Sequence, residues 1–242
     1  MSQFRFTQAA IEEHLVEVGA DIRPAIEARS ERQKLGDFGL WLNDTWPALF
    51  ENVVQGPAAF CVTKKFAYPG KGELEMPTFT LTPRGPVFTF PYKLRVLGGE
   101  EIELPECKDV VIRATDQFKR LWGQCKQVRL GKVTTYSFDT SPESPVAVVA
   151  ERFTRLAGSF TEIHLRFNRP TDDFNRVVYL DAADLPAEGD QEPPRIIRVG
   201  VDVNNRDMEE DLTKDKKLRI LHEADAYCQD DLFSLLNGDA DQ

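Results

Sequence analysis

FTEIHLRF (160–167), FNRVVYL (174–180) and RIIRVGVDV (195–203) carry the clearest pattern in the chain, and their reading decides the fold. In the first segment Ile163, Leu165 and Phe167 point one way, while Glu162, His164 and Arg166 point the other. In the last, Ile197, Val199, Val201 and Val203 share a face that leaves Arg198 and Asp202 opposite. Alternation with period two marks half-buried strands of an antiparallel sheet. DLPAEGDQEPP (184–194), rich in proline and acids, reads as a loop interrupting the hairpin between the second and third segments.

Elements on either side of this block are mixed. Upstream, Ala114–Lys126 reads as a helix with Phe118, Leu121, Trp122 and Cys125 in register, and VRLGKVTTYSFD (128–139) as a long strand. Ser144 caps a helix with Pro145 in its first turn and an apolar stripe of Val146, Val149, Ala150, Phe153 and Leu156. Downstream, a last helix runs from about Asp211 or Thr213 to Leu236, with Leu218, Leu221, Cys228, Leu232 and Leu235 on one face and Gly238 as its stop. The order α-β-α-β-β-β-α does not alternate strictly, which favours α+β over a parallel α/β fold.

The first 55 residues read as helical. Thr7 caps a stripe of Ala10, Ile11, His14, Leu15 and Val18, and Gly19 ends it. Pro24 starts AIEARSERQK (25–34), which stops at Gly36, and a third short helix begins near Asp44 or Thr45. From Ala58 the pattern turns to strands: AAFCVTKKF (58–66), a turn at PGKG (69–72), MPTFTLT (76–82) and PVFTFPYKLRVL (86–97). Pro83, Pro86 and Pro91 suggest short edge strands. In YKLRVLGGEEIEL (92–104) a three-residue loop, Gly98–Glu100, pairs Arg95 with Glu103 and Val96 with Ile102, which keeps one face apolar.

The expected fold is therefore α+β: a mainly antiparallel sheet packed with helices, a helical N-terminal segment and a long C-terminal helix. Residues 1–105 and 106–242 form two regions or one continuous domain, and no internal repeat is read.

Charge is segregated. Residues 1–180 carry 23 Lys+Arg and 23 Asp+Glu, whereas 181–242 carry 7 and 17, so the last quarter holds the whole net charge of −10. An acidic element on a neutral body points to a basic protein partner. The pI near 4.9 argues against phosphate-backbone binding to nucleic acid. No run approaches the ~18 apolar residues that span a bilayer, and no secretory signal is read at the N-terminus, so a cytoplasmic setting is expected. The cysteines at 61, 107, 125 and 228 form no CxxC pair and sit in apolar or amphipathic runs, as buried free thiols do. Cys61, Cys125 and Cys228 are expected to be largely buried.

No motif fixes a reaction. Asp202–Asp207 resembles the start of a calcium loop but lacks the Gly and Glu that such a loop needs. Gly70-Lys71 and Gly131-Lys132 are not followed by Ser or Thr, so neither is a phosphate loop. No cofactor or metal is implied. His222 and His14 are isolated histidines without metal-ligand spacing.

Two functional readings follow. The first is a non-catalytic protein-binding subunit, of the adaptor, inhibitor or immunity type. It acts through the acidic C-terminal region, with Asp230 and Asp231 foremost, and through the aromatic segment FGLWLNDTWPALF (38–50), with Trp41 and Trp46. The alternative is an enzyme with a dispersed polar site on a sheet face: Glu162, His164, Arg166, Arg198 and Asp202. A carboxylate beside a histidine tunes a general base, and paired arginines hold an anion.

Overall fold

The computed structural model describes residues 3–56, 59–68, 72–154, 160–184 and 193–239. Its frame is one antiparallel sheet of nine strands. In chain order these are β1 (Ile11–Arg23), β2 (Asn52–Gln55), β3 (Phe60–Tyr68), β4 (Gly72–Leu81), β5 (Pro86–Lys93), β6 (Lys126–Asp139), β7 (Glu162–Asn168), β8 (Phe174–Ala183) and β9 (Ile196–Asn205). Their order across the sheet is β2-β3-β4-β5-β1-β6-β9-β8-β7. The helices are α1 (Arg32–Thr45), α2 (Cys107–Leu121), α3 (Pro145–Phe153), α4 (Lys214–Ala226) and α5 (Leu232–Asn237). A π-helical segment, Tyr227–Asp231, joins the last two.

The element order repeats. β1-α1-β3-β4-β5-α2 is followed by β6-α3-β7-β8-β9-α4, with β2 as an extra edge strand in the first half. Outward from the centre the sheet reads β1, β5, β4, β3 on one side and β6, β9, β8, β7 on the other. The two halves meet where β1 runs antiparallel to β6 over almost the full length of both strands. This seam is the middle of the molecule. The sequence does not show the repeat because it lies in the order of elements, not in their residues.

The sheet has one covered face. Val16, Val18, Ala20 and Ile22 of β1, Phe88 and Phe90 of β5 and Leu130 of β6 are buried with side chains of α1, α2 and α4. Phe138, Leu180, Ile197, Val199 and Val201 are buried with α3, the end of α4 and α5. Helices therefore cover the same parity on every strand. The opposite parity carries Glu17, Gly19, Arg129, Val133, Arg198, Gly200, Tyr179 and Arg166, half-buried or exposed.

Several expectations are corrected. The N-terminal segment is not helical: Ile11–Arg23 is the central strand β1. The same residues fit both periods. Val16, Val18, Ala20 and Ile22 alternate and go inward, while Leu15, on the proposed helical stripe, lies beyond a register shift between His14 and Leu15. The helix of this region is α1, which starts later than AIEARSERQK and passes through Gly36 and Gly39. A Cβ on Gly39 would lie 2.8 Å from a methyl of Val53 and 3.1 Å from the Phe60 ring, so close packing overrides the low helix propensity of glycine here. Asn52–Gln55 is a strand, not the end of a third helix.

The prolines do not confine their strands to the edge: β5 lies between β4 and β1. Pro91 sits opposite Leu15 and Pro77 opposite Thr63, both beside register shifts where the ladder is interrupted. A residue without an N–H is tolerated at such a bulge. The Arg95–Glu103 hairpin is also wrong. Arg95–Leu97 forms a 3-10 turn, Gly98 and Gly99 both take left-handed backbone at φ 78° and 75°, and the bridge joins Lys93 to Glu101. Two adjacent left-handed glycines make a longer loop, and Leu94 and Leu97 turn into an apolar cluster with Phe66.

Other readings hold. Ser144 accepts from the Ala147 N–H at 3.0 Å, with Pro145 in the first turn of α3. Thr213 caps α4, and Gly238 ends α5 with φ 72°. The 69–71 part of the PGKG turn, residues 185–192 of the acidic loop and Leu156 lie outside the described residues. All four cysteines are free, and Cys107, Cys125 and Cys228 are buried; Cys61, expected to be largely buried, is only half-buried. No helix among the described residues is long and apolar enough to cross a membrane.

Candidate functional site: a polar cavity on the central seam

A cavity of about 460 Å3 opens on the helix-covered side of the seam. Its floor is the inward parity of three adjacent strands: Tyr92 of β5, His14 of β1 and Tyr136, Thr134 and Lys132 of β6. Its roof is the start of α2, at Glu106 and Cys107, and the junction of α4 with the π-helical segment, at Asp225, Cys228 and Gln229. Ile11, Ile102 and Leu104 form apolar walls.

The register explains the floor. His14 is paired directly with Tyr136, so the two rings meet at 4.8 Å between centroids. On the other side the Tyr92 ring lies 5.2 Å from His14. Three aromatic rings thus stand in a row across three strands, the spacing that cross-strand neighbours impose.

Lys132 is the anomaly of β6. It occupies a parity otherwise filled by Val128, Leu130, Thr134, Tyr136 and Phe138, and its side chain is only 8% exposed. A buried ammonium needs a partner. Asp225, one residue before the end of α4, supplies it as an ion pair.

Electrostatics follow from burial. Desolvation, helped by the Lys132 charge, lowers the His14 pKa to about 4, so the imidazole is neutral at pH 7. Among the described residues no hydrogen bond reaches the His14 ring. Burial pushes the Cys107 thiol up to about 12 and raises the Cys228 thiol. It also raises the phenols of Tyr92 and Tyr136. Tyr92 stands beside the Cys107 backbone, and Tyr136 and Thr134 stand beside the Cys228 sulfur. The lining therefore holds protonated thiols and phenols, a neutral imidazole and a closed Lys–Asp pair.

One prediction arises directly. The ring protons of His14 should titrate near pH 4, and those of His164 above 6.5, because the exposed His164 gains from its bond to Asp181. His14 binds its proton less readily folded than unfolded. Its contribution therefore makes stability fall as pH drops from 6.5 toward 4. An NMR titration of the three histidines checks this; a His14 midpoint near 6.5 would contradict the burial described.

The structure brings the five strand-face candidates onto one surface, as the alternation implies, with β8 between β7 and β9. His164 Nδ1 lies 2.7 Å from Asp181, and Glu162 lies 3.7 Å from the other nitrogen. Asp181 is in turn the cross-strand neighbour of Arg198. The Arg166 guanidinium lies 5.8 Å from the Tyr179 ring, and Asp202 accepts from Asn204 at 2.9 Å. Glu162, His164, Arg166 and Arg198 are exposed and Asp202 half-buried. This is a row of polar and charged side chains on the uncovered sheet face, paired by charge only around His164, on the opposite side of the sheet from the seam cavity.

Trp46 is 8% exposed and packs in the larger core, with the Arg113 guanidinium 5.0 Å from its ring. Trp41 is half-buried and stacks on Phe38 at 5.9 Å. Asp230 and Asp231 are exposed on the π-helical segment, next to the Gln229 that lines the cavity mouth. Among the described residues no cluster of His, Cys, Asp and Glu is arranged to hold a metal ion.

Sequence reading passed over the seam cavity, because His14 stands alone in the chain and meets Tyr92, Lys132 and Asp225 only through the fold. One signal was present: Lys132 on the apolar parity of a long strand.

No family model, no curated protein and no solved structure matches this chain.

Proposed function

We propose that this protein is a non-catalytic protein-binding subunit whose contact surface centres on Asp230 and Asp231. The observation that carries this reading is the distribution of acid pairing in the last quarter of the chain. Asp211 is taken by Lys119, Asp225 by Lys132, Glu223 by Arg176, Glu210 by Lys216 and Asp239 by Arg5. Asp207, Glu209 and Asp215 are exposed without an ion pair among the described residues, and so are Asp230 and Asp231. These last two stand on a π-helical turn, a feature that recurs at functional positions. Exposed, uncompensated carboxylates steer a basic partner and speed its encounter. The protonated thiols and neutral histidine of the seam support a binding role over a chemical one.

Large aromatic rings add less to this surface than the sequence suggests, since Trp46 is in the core. The partner is a protein with a basic patch, and the cytoplasm is its proposed location. Replacing both residues, Asp230→Asn with Asp231→Asn, should weaken capture of that partner at low salt while leaving the fold intact. Equal capture by wild type and variant from the native source would contradict the proposal.

A further inference from the structure

We propose that the seam cavity binds a small uncharged molecule with a flat ring and a polar edge, of nucleobase or nucleoside size. This goes beyond protein binding and does not depend on it. Four observations carry it.

First is size. A space of about 460 Å3 falls in the range of small-molecule sites, which run from roughly 300 to 1,000 Å3. Second is charge. Lys93, Lys108 and Lys132 are balanced by Glu101, Glu106 and Asp225 around the lining. The deeply buried cation of this lining, Lys132, is already paired with Asp225. A net anion would have to break that pair, and a net cation would face Lys132.

Third is the hydrogen-bonding pattern. The neutral His14 ring offers a donor on one nitrogen and an acceptor on the other, with neither taken by a hydrogen bond among the described residues. The Tyr92 hydroxyl also lines the cavity and can donate its own proton. A ligand edge with donor and acceptor side by side satisfies both residues. Amides and nucleobases present such an edge. Fourth is the wall chemistry. Ile11, Ile102 and Leu104 flank the polar floor, which suits the apolar faces of a planar ring. A sugar with hydroxyls all round would leave polar groups unpaired against those walls.

The test titrates the full chain with adenine, adenosine, guanosine, uridine and nicotinamide, each at millimolar concentration. The readout is the NMR shift of the His14 ring signals, assigned by their loss in His14→Phe. At least one of these compounds should move the His14 signals saturably. His14→Phe and Tyr92→Phe should each weaken its binding about tenfold, the loss of one buried hydrogen bond. Binding in the variants is read by calorimetry, and their fold is checked by thermal melting. If His14→Phe fails to fold, Tyr92→Phe, which removes one oxygen, carries the comparison. The 5′-monophosphate of a bound nucleoside should bind no more tightly than the nucleoside itself. The proposal is overturned if no member of the panel moves the His14 signals, or if folded variants bind as wild type does. It is also overturned if the monophosphate binds more tightly, which would make the cavity an anion site.

Discussion

Replacing Phe38 with Ala is expected to cost about 3–5 kcal/mol of folding stability, the range for truncating a buried aromatic ring. Phe38 is 0% exposed and its ring meets four others: Phe79 and Phe118 at 5.4 Å, Trp41 at 5.9 Å and Trp122 at 6.4 Å. These rings come from α1, β4, α2 and the residue that ends α2, so the side chain ties a helix to the sheet and to its neighbouring helix. Truncation leaves a cavity between rigid aromatic surfaces that cannot close around it. Leu40, on the same helix but 56% exposed, is the control, and its replacement by Ala should change stability by no more than about 0.5 kcal/mol. Urea denaturation measures both. A loss below about 1 kcal/mol at Phe38 would show that α1 does not pack as described.

The second large effect is at Gly85. Its φ is 151°, and a Cβ there would lie 2.1 Å from the backbone oxygen of Ala20 in β1. Gly85 closes the β4–β5 turn through paired bonds with Thr82, and the adjacent Arg84 carbonyl accepts from the Ile22 N–H at 2.8 Å. Ala at this position adds backbone strain to a clash with another strand's backbone, which no rotamer change relieves. Gly85→Ala should cost on the order of 3–5 kcal/mol from the two causes together. Gly98 also has positive φ but nothing within 4 Å of its Cβ position, so Gly98→Ala isolates the strain and should cost about 1–2 kcal/mol. Equal losses for the two variants would mean that the turn does not press on β1.

These two sites mark what was legible in the chain and what was not. The strands from 126 to 205 were readable because their apolar parity, broken in β6 by Lys132, still runs over several turns of the pattern, and their caps are local: Ser144, Pro145 and Thr213 act on residues next to them. β1 was misread because IEEHLVEVGADI satisfies both periods, and only pairing on both sides with β5 and β6 settles the choice. Gly39 in a helix and Pro91 in an interior strand contradict local propensity for reasons that lie in distant residues, Val53 and Leu15. The seam cavity was hidden in the same way. Its floor and roof come from five segments spread from Ile11 to Gln229, and their convergence depends on the repeated element order, which leaves no trace in residue identity. By contrast, the exposed polar face around His164 was legible because a single strand pattern places it.

The acidic turn is the functional claim most open to a direct measurement. With the partner in hand, its association rate is measured for wild type and for the Asp230→Asn, Asp231→Asn double variant at low and at physiological ionic strength. Exposed charges act over a Debye length of about 30 Å at 0.01 M salt and about 8 Å at 0.15 M. The account predicts that the wild type associates several-fold faster than the variant at low salt and that the gap narrows at the higher salt. Rates that are equal for the two proteins at both ionic strengths would contradict it.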